Sequence, residues 1–299
     1  MHTIVNPAAA GGRLGREWSG LERRLRSWGL DAEAVFTEAP GHATELAAKA
    51  AFGGVARVVL AGGDGTVCEA AEGLAGTGCE LAILPLGTGN DAARTLGIPL
   101  EVEAAARVAV AGSTRVVDLI GVGDRLVLNA IGVGLTADIN ERAARVKWVR
   151  GIAVYLATAA VSLFRFRAPE IRLVAGEREI VSTMTILAVH NGPTTGGGFA
   201  LTPGAVPDDG LLDATLVPDV PVSGRLLRLW GALRGTLHTM PGTVTLRTSL
   251  LELHHSELLA VHFDGNQGML EGPVTRFEVV PKALKVVVPG SESLIVNSE

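Results

Sequence analysis

Arg57-Val58-Val59-Leu60-Ala61-Gly62-Gly63-Asp64-Gly65-Thr66-Val67 and, a little further on, Leu81-Ala82-Ile83-Leu84-Pro85-Leu86-Gly87-Thr88-Gly89-Asn90-Asp91 are built alike. Each is a short apolar run that breaks into glycines and small polar residues and then opens into a helical pattern. A buried parallel strand ends at a ligand site in this way. Gly62, Gly63 and Gly65 leave backbone amides unshielded and permit positive φ, so that successive N–H groups can converge on a phosphate oxygen. Thr66 adds a hydroxyl at a predicted helix N-terminus, where the dipole favours an anion. Asp64 would be repelled by a polyphosphate unless Mg²⁺ lies between them, directly or through water. The competing reading is a pair of plain strand-to-helix turns. No Gly-Lys-Ser or Gly-Lys-Thr occurs, and the only lysines are Lys49, Lys147, Lys282 and Lys285. A phosphate site here therefore relies on amides, arginine and metal, which excludes the P-loop class.

Outward from these stretches the chain alternates strands with helices. His2 to Val5 reads as a strand, Asn6 to Gly12 as its loop, and Leu14 to Trp28 as a helix stopped by Gly29. Leu30 to Phe36 reads as a second strand, Gly41 to Phe52 as a helix, and Val102 to Ala111 as another, with one more beginning near Gly89. This rhythm predicts an α/β domain with a parallel sheet, its ligand beyond the carboxyl ends of the strands. Asn6 could contact a nucleotide or cap a turn, and Thr37 could do so or cap a helix.

From about Arg115 the pattern changes to strands at Val116–Ile120, Leu126–Ile131, Ile171–Ala175, Ile180–Val189, Leu211–Val217, Thr243–Arg247, Leu250–His254, Leu258–Phe263, Thr275–Val280 and Leu284–Val288. Two helical patterns interrupt them, Ile139 to Phe166 and Val222 to Leu237. The expected fold is an α/β domain over residues 1–118 and a mainly antiparallel β-sandwich over 119–288. Gly132-Val133-Gly134-Leu135-Thr136-Ala137 fits a dinucleotide fingerprint on paper but lacks the second strand and acidic residue of that unit, and reads as a glycine-rich turn facing an interdomain cleft.

Bulk properties bound the function. The 299 residues carry 47% hydrophobic and 19% charged side chains, which describes a folded, apolar-rich chain with room for two cores. A net charge of −5 argues against a general nucleic-acid binder. Cys68 and Cys79 have no zinc spacing and read as reduced, packed thiols. The chain starts in a strand rather than a leader, and the apolar run Gly151 to Phe164, flanked by Arg150 and Arg165, is too short to span a bilayer. The expectation is a cytoplasmic protein, soluble or peripheral at a membrane.

Asn6-Pro7, Gly62-Gly-Asp-Gly-Thr66 and Pro85-Leu-Gly-Thr-Gly-Asn-Asp91 resemble the diacylglycerol kinase catalytic-domain family, in particular the bacterial lipid kinases related to sphingosine and ceramide kinases. The resemblance extends over nearly the whole chain. It implies an ATP-dependent lipid kinase with Mg²⁺, a membrane-presented lipid acceptor and room for a homodimer. It also implies that the tail 289–299 returns to the first domain, and that Asn6, Pro7, Thr37, Gly62, Gly63, Asp64, Gly65, Thr66, Gly87, Thr88 and Asn90 contact nucleotide.

Two later segments would complete the chemistry. Val206-Pro207-Asp208-Asp209-Gly210-Leu211 is an ordinary polar turn on local grounds. The resemblance implies a structural Mg²⁺ there, held by the Asp209 side chain and the carbonyls of Val206 and Leu211. Asn191 to Phe199 resembles the family's glycine-rich loop, whose flexibility could admit a headgroup.

In Leu259-Ala-Val-His-Phe-Asp-Gly-Asn266, period two sets Val261 and Phe263 opposite His262 and Asp264, which would then face the cleft; the local alternative is an Asp-Gly turn. The resemblance places a catalytic Asp-Gly-Glu here, with Asp264 as the base. Asn266 stands where the family has glutamate, and an amide takes no proton at neutral pH. His262, Glu257 or Glu271 would have to supply the missing charge, or the site is slow. The sequence thus supports a lipid kinase, a catalytically weakened nucleotide- or lipid-binding protein, or a kinase of a soluble hydroxyl compound such as NAD. Tyr155 and the stripe Ile152 to Phe164 read as a buried helix face or as a greasy wall for acyl chains, with Arg145, Lys147, Arg150, Arg165 and Arg167 near anionic headgroups.

Overall fold

The computed structural model describes residues 1–145 and 161–290. The expected tail at 289–299 falls almost wholly outside the described residues, as do Lys147, Arg150, Tyr155 and most of the Ile152 to Phe164 stripe. The chain divides into two compact units, Met1–Leu119 with Val280–Glu299, and Ile120–Val279.

In the first unit, β1 (His2–Val5), β2 (Glu33–Phe36), β3 (Arg57–Gly62) and β4 (Glu80–Pro85) lie parallel in the order β4-β3-β1-β2. Lys285 and Val286 of a strand from the end of the chain add to the free side of β4, also parallel. Helices α1 (Ala9–Ser27), α2 (His42–Phe52), α3 (Asp64–Leu74), α4 (Asp91–Thr95) and α5 (Val102–Ala111) connect and cover the strands. Val58, Val59, Leu60 and Ala61 are all fully buried, so β3 shows an unbroken apolar run rather than alternation. The α2–α3 contact rests on small residues: a Cβ at Gly73 would lie 2.3 Å from the Thr44 carbonyl oxygen. Ala10, Gly11 and Gly12 have φ of 50°, 67° and 82°, so regular helix begins after them, and Gly29 (φ 90°) closes α1 with Leu30 N donating to Leu25 O at 2.9 Å.

The second unit is antiparallel. Its elements are β5 (Ser113–Val122), which runs into it from the first unit, β6 (Arg125–Val127), β7 (Ala130–Gly134), α6 (Leu135–Arg145), β8 (Glu170–Ala175), β9 (Arg178–His190), β10 (Thr194–Thr195) and β11 (Phe199–Ala200). Then come β12 (Leu212–Pro218), α7 (Val222–Leu233), β13 (Val244–Thr248), β14 (Leu250–His255), β15 (Leu259–Phe263), β16 (Asn266–Leu270) and β17 (Val274–Val288). One layer runs β16-β15-β7-β9-β12-β13 and the other β9-β8-β14-β17. The long β9 belongs to both, its first half pairing with β8 and its second half with β7 and β12. The expected α/β domain followed by a sandwich-like β domain is the fold observed.

Several expected elements are corrected. The run Leu126 to Ile131 is broken at Leu128-Asn129 into β6 and β7. The two runs from Thr275 to Val288 form one strand, with Lys282 at φ 53° and its amide held by the Asp118 carboxylate at 2.7 Å. β16 has no counterpart in the sequence reading: it is a mostly polar edge strand that, among the described residues, pairs with β15 alone. Gly132-Val133-Gly134 is no turn but the end of β7, passing straight into α6. Its glycine serves close approach, since a Cβ at Gly132 would meet the His262 Nε2 at 2.1 Å.

Candidate functional site

In the first unit the ends of β1, β3 and β4 are tied into one surface. Asn6 Nδ2 donates to Thr66 Oγ1 at 2.7 Å, and Asn6 Oδ1 accepts from Ala8 N at 2.9 Å, so the side chain caps its own turn and anchors the first turn of α3 together. Leu86 N donates to Gly62 O at 2.9 Å, joining the two glycine stretches. Asn90, at φ 57°, accepts from Gly87 N at 2.9 Å and closes the second loop on itself. Thr37 is buried with its amide on Val5 O, whereas Thr88 is exposed.

The glycines act differently from the expectation. Gly62, Gly63 and Gly65 all lack positive φ; Gly63 is the extended N-cap of α3 at φ −105°. What they allow is contact. A Cβ at Gly87 would lie 2.4 Å from the Gly63 Cα, so the two loops touch backbone to backbone. Asp64 is turned onto the second stretch, its Oδ1 accepting from Ala92 N at 3.0 Å at the start of α4. Burial, with the Asp91 carboxylate beside it, pushes the Asp64 carboxyl above its ordinary range against the opposing pull of the amides at 90–92. Arg13, Arg16, Arg23 and Arg24, with Glu17 among them, line a groove that runs along α1 to Leu86 and Val102, with a surplus of positive charge next to the second loop.

In the second unit, β15 and β16 form a two-residue hairpin with Phe263 opposite Asn266. Asp264 and Gly265 at its tip have φ of 47° and 96°, the twin left-handed residues of a type I′ turn. Both Asp264 oxygens point inward: Oδ2 accepts from Asn129 N at 2.8 Å and Oδ1 from Ala130 N at 2.7 Å. Asn129 in turn donates to Thr194 O at 2.9 Å, and its carbonyl accepts from Asn191 N at 2.8 Å, which fixes the glycine-rich loop against β7. Asn266 lies at the base of the turn and is half-buried.

His262 does not share an open face with Asp264. It is buried in the wall of an apolar pocket inside the second unit, with Leu135, Ile139, Leu163, Leu201, Val217 and Ala232. Burial lowers its pKa to about 4, so it is neutral at pH 7 and cannot replace a missing carboxylate charge. His262 Nδ1 and Thr136 Oγ1, both at this pocket, are buried without hydrogen-bond partners among the described residues. Glu257 and Glu271 are exposed.

The turn at 206–211 is organised by Asp209, whose Oδ1 accepts from Leu211 N at 3.0 Å and whose Oδ2 pairs with Arg247. Arg247 also approaches Asp213 at 3.4 Å, and Asp213 Oδ2 is buried without a donor among the described residues. No cluster of three or more metal-ligating side chains occurs among the described residues.

The profile of the diacylglycerol kinase catalytic domain matches residues 1–122, and that of the YegS C-terminal NAD kinase beta sandwich-like domain matches residues 129–288. The chain belongs to the diacylglycerol kinase catalytic-domain family. Among its curated relatives, the protein named Probable lipid kinase YegS-like of Pseudomonas aeruginosa (strain UCBPP-PA14) is 38% identical over 90% of this chain and 89% of its own. The protein named Diacylglycerol kinase of Mycobacterium tuberculosis (strain H37Rv) is 31% identical over 96% of this chain and 94% of its own. A crystal structure from Bacillus anthracis strain Sterne, titled as that of a candidate diacylglycerol kinase, superposes with a TM-score of 0.77 at 25% identity, covering 96% of each chain.

For this lipid-kinase fold the geometry adds residues that the sequence reading passed over: Asn129, which anchors Asp264 and holds the glycine loop through the Thr194 carbonyl, and Arg247, which pairs with Asp209. Asn129 sits in the break between β6 and β7, and only the pairing across more than a hundred residues reveals it. The loop contact gives a first prediction. Gly87→Ala should push the two loops apart, weakening ATP binding at least about tenfold by calorimetry while costing about 1–3 kcal/mol of stability. Unchanged affinity would mean that the loop contact does not shape the nucleotide site.

Proposed function

We propose that this chain transfers the terminal phosphate of ATP to a hydroxyl of a diacylglycerol-like or long-chain-base lipid. The observation that carries the acceptor class is the apolar pocket of the second unit, which His262 lines two residues before Asp264. An apolar wall of this kind suits an acyl chain and offers little to a soluble acceptor such as NAD. The relatives named as lipid kinases support the same class.

In this reading the nucleotide lies on Asn6, Pro7, Thr37, the Gly62 to Thr66 turn, Gly87, Thr88 and Asn90, with α3 directing its N-terminus at the phosphates. Asp264 accepts the proton of the acceptor hydroxyl as its oxygen attacks phosphorus. Two sites fit Mg²⁺. Asp209 with the Val206 and Leu211 carbonyls supplies hard oxygen ligands, and the orphaned Asp213 Oδ2 beside them is an acceptor in need of a water or cation. Asp64 would reach a nucleotide-bound ion through water. Magnesium, if held there, would offset phosphate charge, while the protein's own residues hold and orient the groups.

Asn266 favours a second reading, a binding protein with weakened catalysis. Labelled ATP with mixed micelles of diacylglycerol or sphingoid base, in the presence of Mg²⁺, tests both. Transfer that rises with micelle surface concentration is expected, and nucleotide binding without transfer to any lipid would reject the kinase reading. Asn266→Glu separates the two: a large gain in rate marks a decayed site, and a loss marks one rebuilt around the amide.

A further inference from the structure

Helix α7, Val222-Ser-Gly-Arg-Leu-Leu-Arg-Leu-Trp-Gly-Ala-Leu233, is apolar on both sides. Its inner side lines the apolar pocket through Arg225, Leu229 and Ala232. Its outer side exposes Leu226, Leu227, Trp230 and Leu233 at 47%, 58%, 53% and 49%. These positions, at i, i+1, i+4 and i+7, fall on one helical stripe. Apart from Arg225 and Arg228 on its inner side the helix is apolar, so the exposed outer stripe is complementary to something apolar.

The surroundings specify what. Arg225 ties α7 to the segment before β8 by donating to Leu163 O at 2.8 Å and Phe166 O at 3.0 Å. That segment exposes Val161 at 44% and Phe164 at 68%, followed by exposed Arg165 and Arg167. Arg234, just past the end of α7, lies over the Trp230 ring at 4.6 Å. Residues 222–234 contain no acidic side chain, although the chain as a whole carries −5. Asp219, just before α7, is paired with the buried Arg225 at 2.6 Å, which leaves Arg165, Arg167 and Arg234 as the charges around the exposed stripe. Large apolar residues with a tryptophan and a surplus of arginine are the pattern of an element that lies in the interface of an anionic bilayer.

We propose that the outer face of α7, with Val161 and Phe164, inserts into the surface of an anionic lipid bilayer. One face of this helix would then lie in lipid while the other forms the wall of the pocket, which gives an acyl chain a short path between the two. Docking is independent of phosphoryl transfer, so its test reads binding without turnover and can fail or succeed apart from the kinase reading.

The full chain, without nucleotide, is to be mixed with vesicles of phosphatidylcholine or of phosphatidylcholine with phosphatidylglycerol. Cosedimentation with the anionic vesicles, weakened by salt, is expected, together with a blue shift of tryptophan emission that Trp230→Phe removes. Leu227→Glu should weaken partitioning at least about tenfold, since each inserted leucine is worth roughly 1.5–3 kcal/mol. Phe52→Glu, at a still more exposed apolar residue of the first unit (97%), should leave it unchanged. Absence of vesicle binding, or equal binding by Leu227→Glu, overturns the proposal. So does a dimer on light scattering that Leu227→Glu dissociates, which would assign the stripe to a second copy of the chain.

Discussion

Asp264→Asn is expected to lower lipid phosphorylation by about 10²–10⁴-fold while leaving ATP affinity nearly unchanged. The expectation has two parts because the carboxylate has two jobs. As a base it must accept a proton, which an amide cannot do. As a structural acceptor it holds the amides of Asn129 and Ala130 at 2.8 and 2.7 Å. Asparagine keeps one carbonyl oxygen and sets its NH₂ against the other donor, at a cost of roughly 1–3 kcal/mol. Urea unfolding and nucleotide calorimetry on the same variant separate the two effects. Loss of transfer with a folded, nucleotide-binding protein supports the base. Retention of more than about a tenth of the rate would remove Asp264 from that role and leave it as the anchor of the β6–β7 break.

How far the sequence revealed this arrangement depended on whether the partner of a residue was local. β3 and β4 were legible because both faces are buried, which removes alternation and leaves an apolar run that glycines terminate. The bounds of α5 agree with the Val102 to Ala111 reading, while its cap is a structural finding: the Glu101 side chain accepts from Glu103 N and Ala104 N. β16 was not, since an edge strand exposed on one side carries little apolar signal.

At the candidate site the same distinction holds. The turn chemistry of Asp264-Gly265 was visible and correct, but the amides that bury its carboxylate lie 134 and 135 residues away in sequence. Asp64 was read as facing phosphate, and the structure turns one of its oxygens to Ala92, 28 residues on, through a left-handed Asn90 that no local pattern announces. Period two along β15 separated His262 from Val261 correctly. It could not tell that the second face was also covered, because that cover comes from α6, α7 and β12.

The covered face leads to a strong pH dependence of stability. Burial lowers the pKa of His262 from 6.5 to about 4 and that of His190 to about 3, the latter helped by the neighbouring His262. Arg225 and Arg228 line the pocket with His262, and among the described residues no carboxylate does. Between the depressed folded pKa values and 6.5 the unfolded chain binds protons that the folded chain refuses. The histidine contribution is therefore fully present above pH 6.5 and is lost as pH falls toward 4 and 3.

From pH 7 to pH 5 the two together should cost about 3–4 kcal/mol in urea unfolding free energy, at up to ~1.4 kcal/mol per group per pH unit. Asp64, whose carboxyl is pushed up, acts with the opposite sign, so the comparison that isolates the histidines is between wild type and His262→Gln. The variant should be less stable at pH 7 yet lose only about half as much on acidification. Equal losses in the two proteins would show that the His262 ring takes up a proton inside the pocket, and its two sides would then have to be rebuilt around a cation rather than a neutral imidazole.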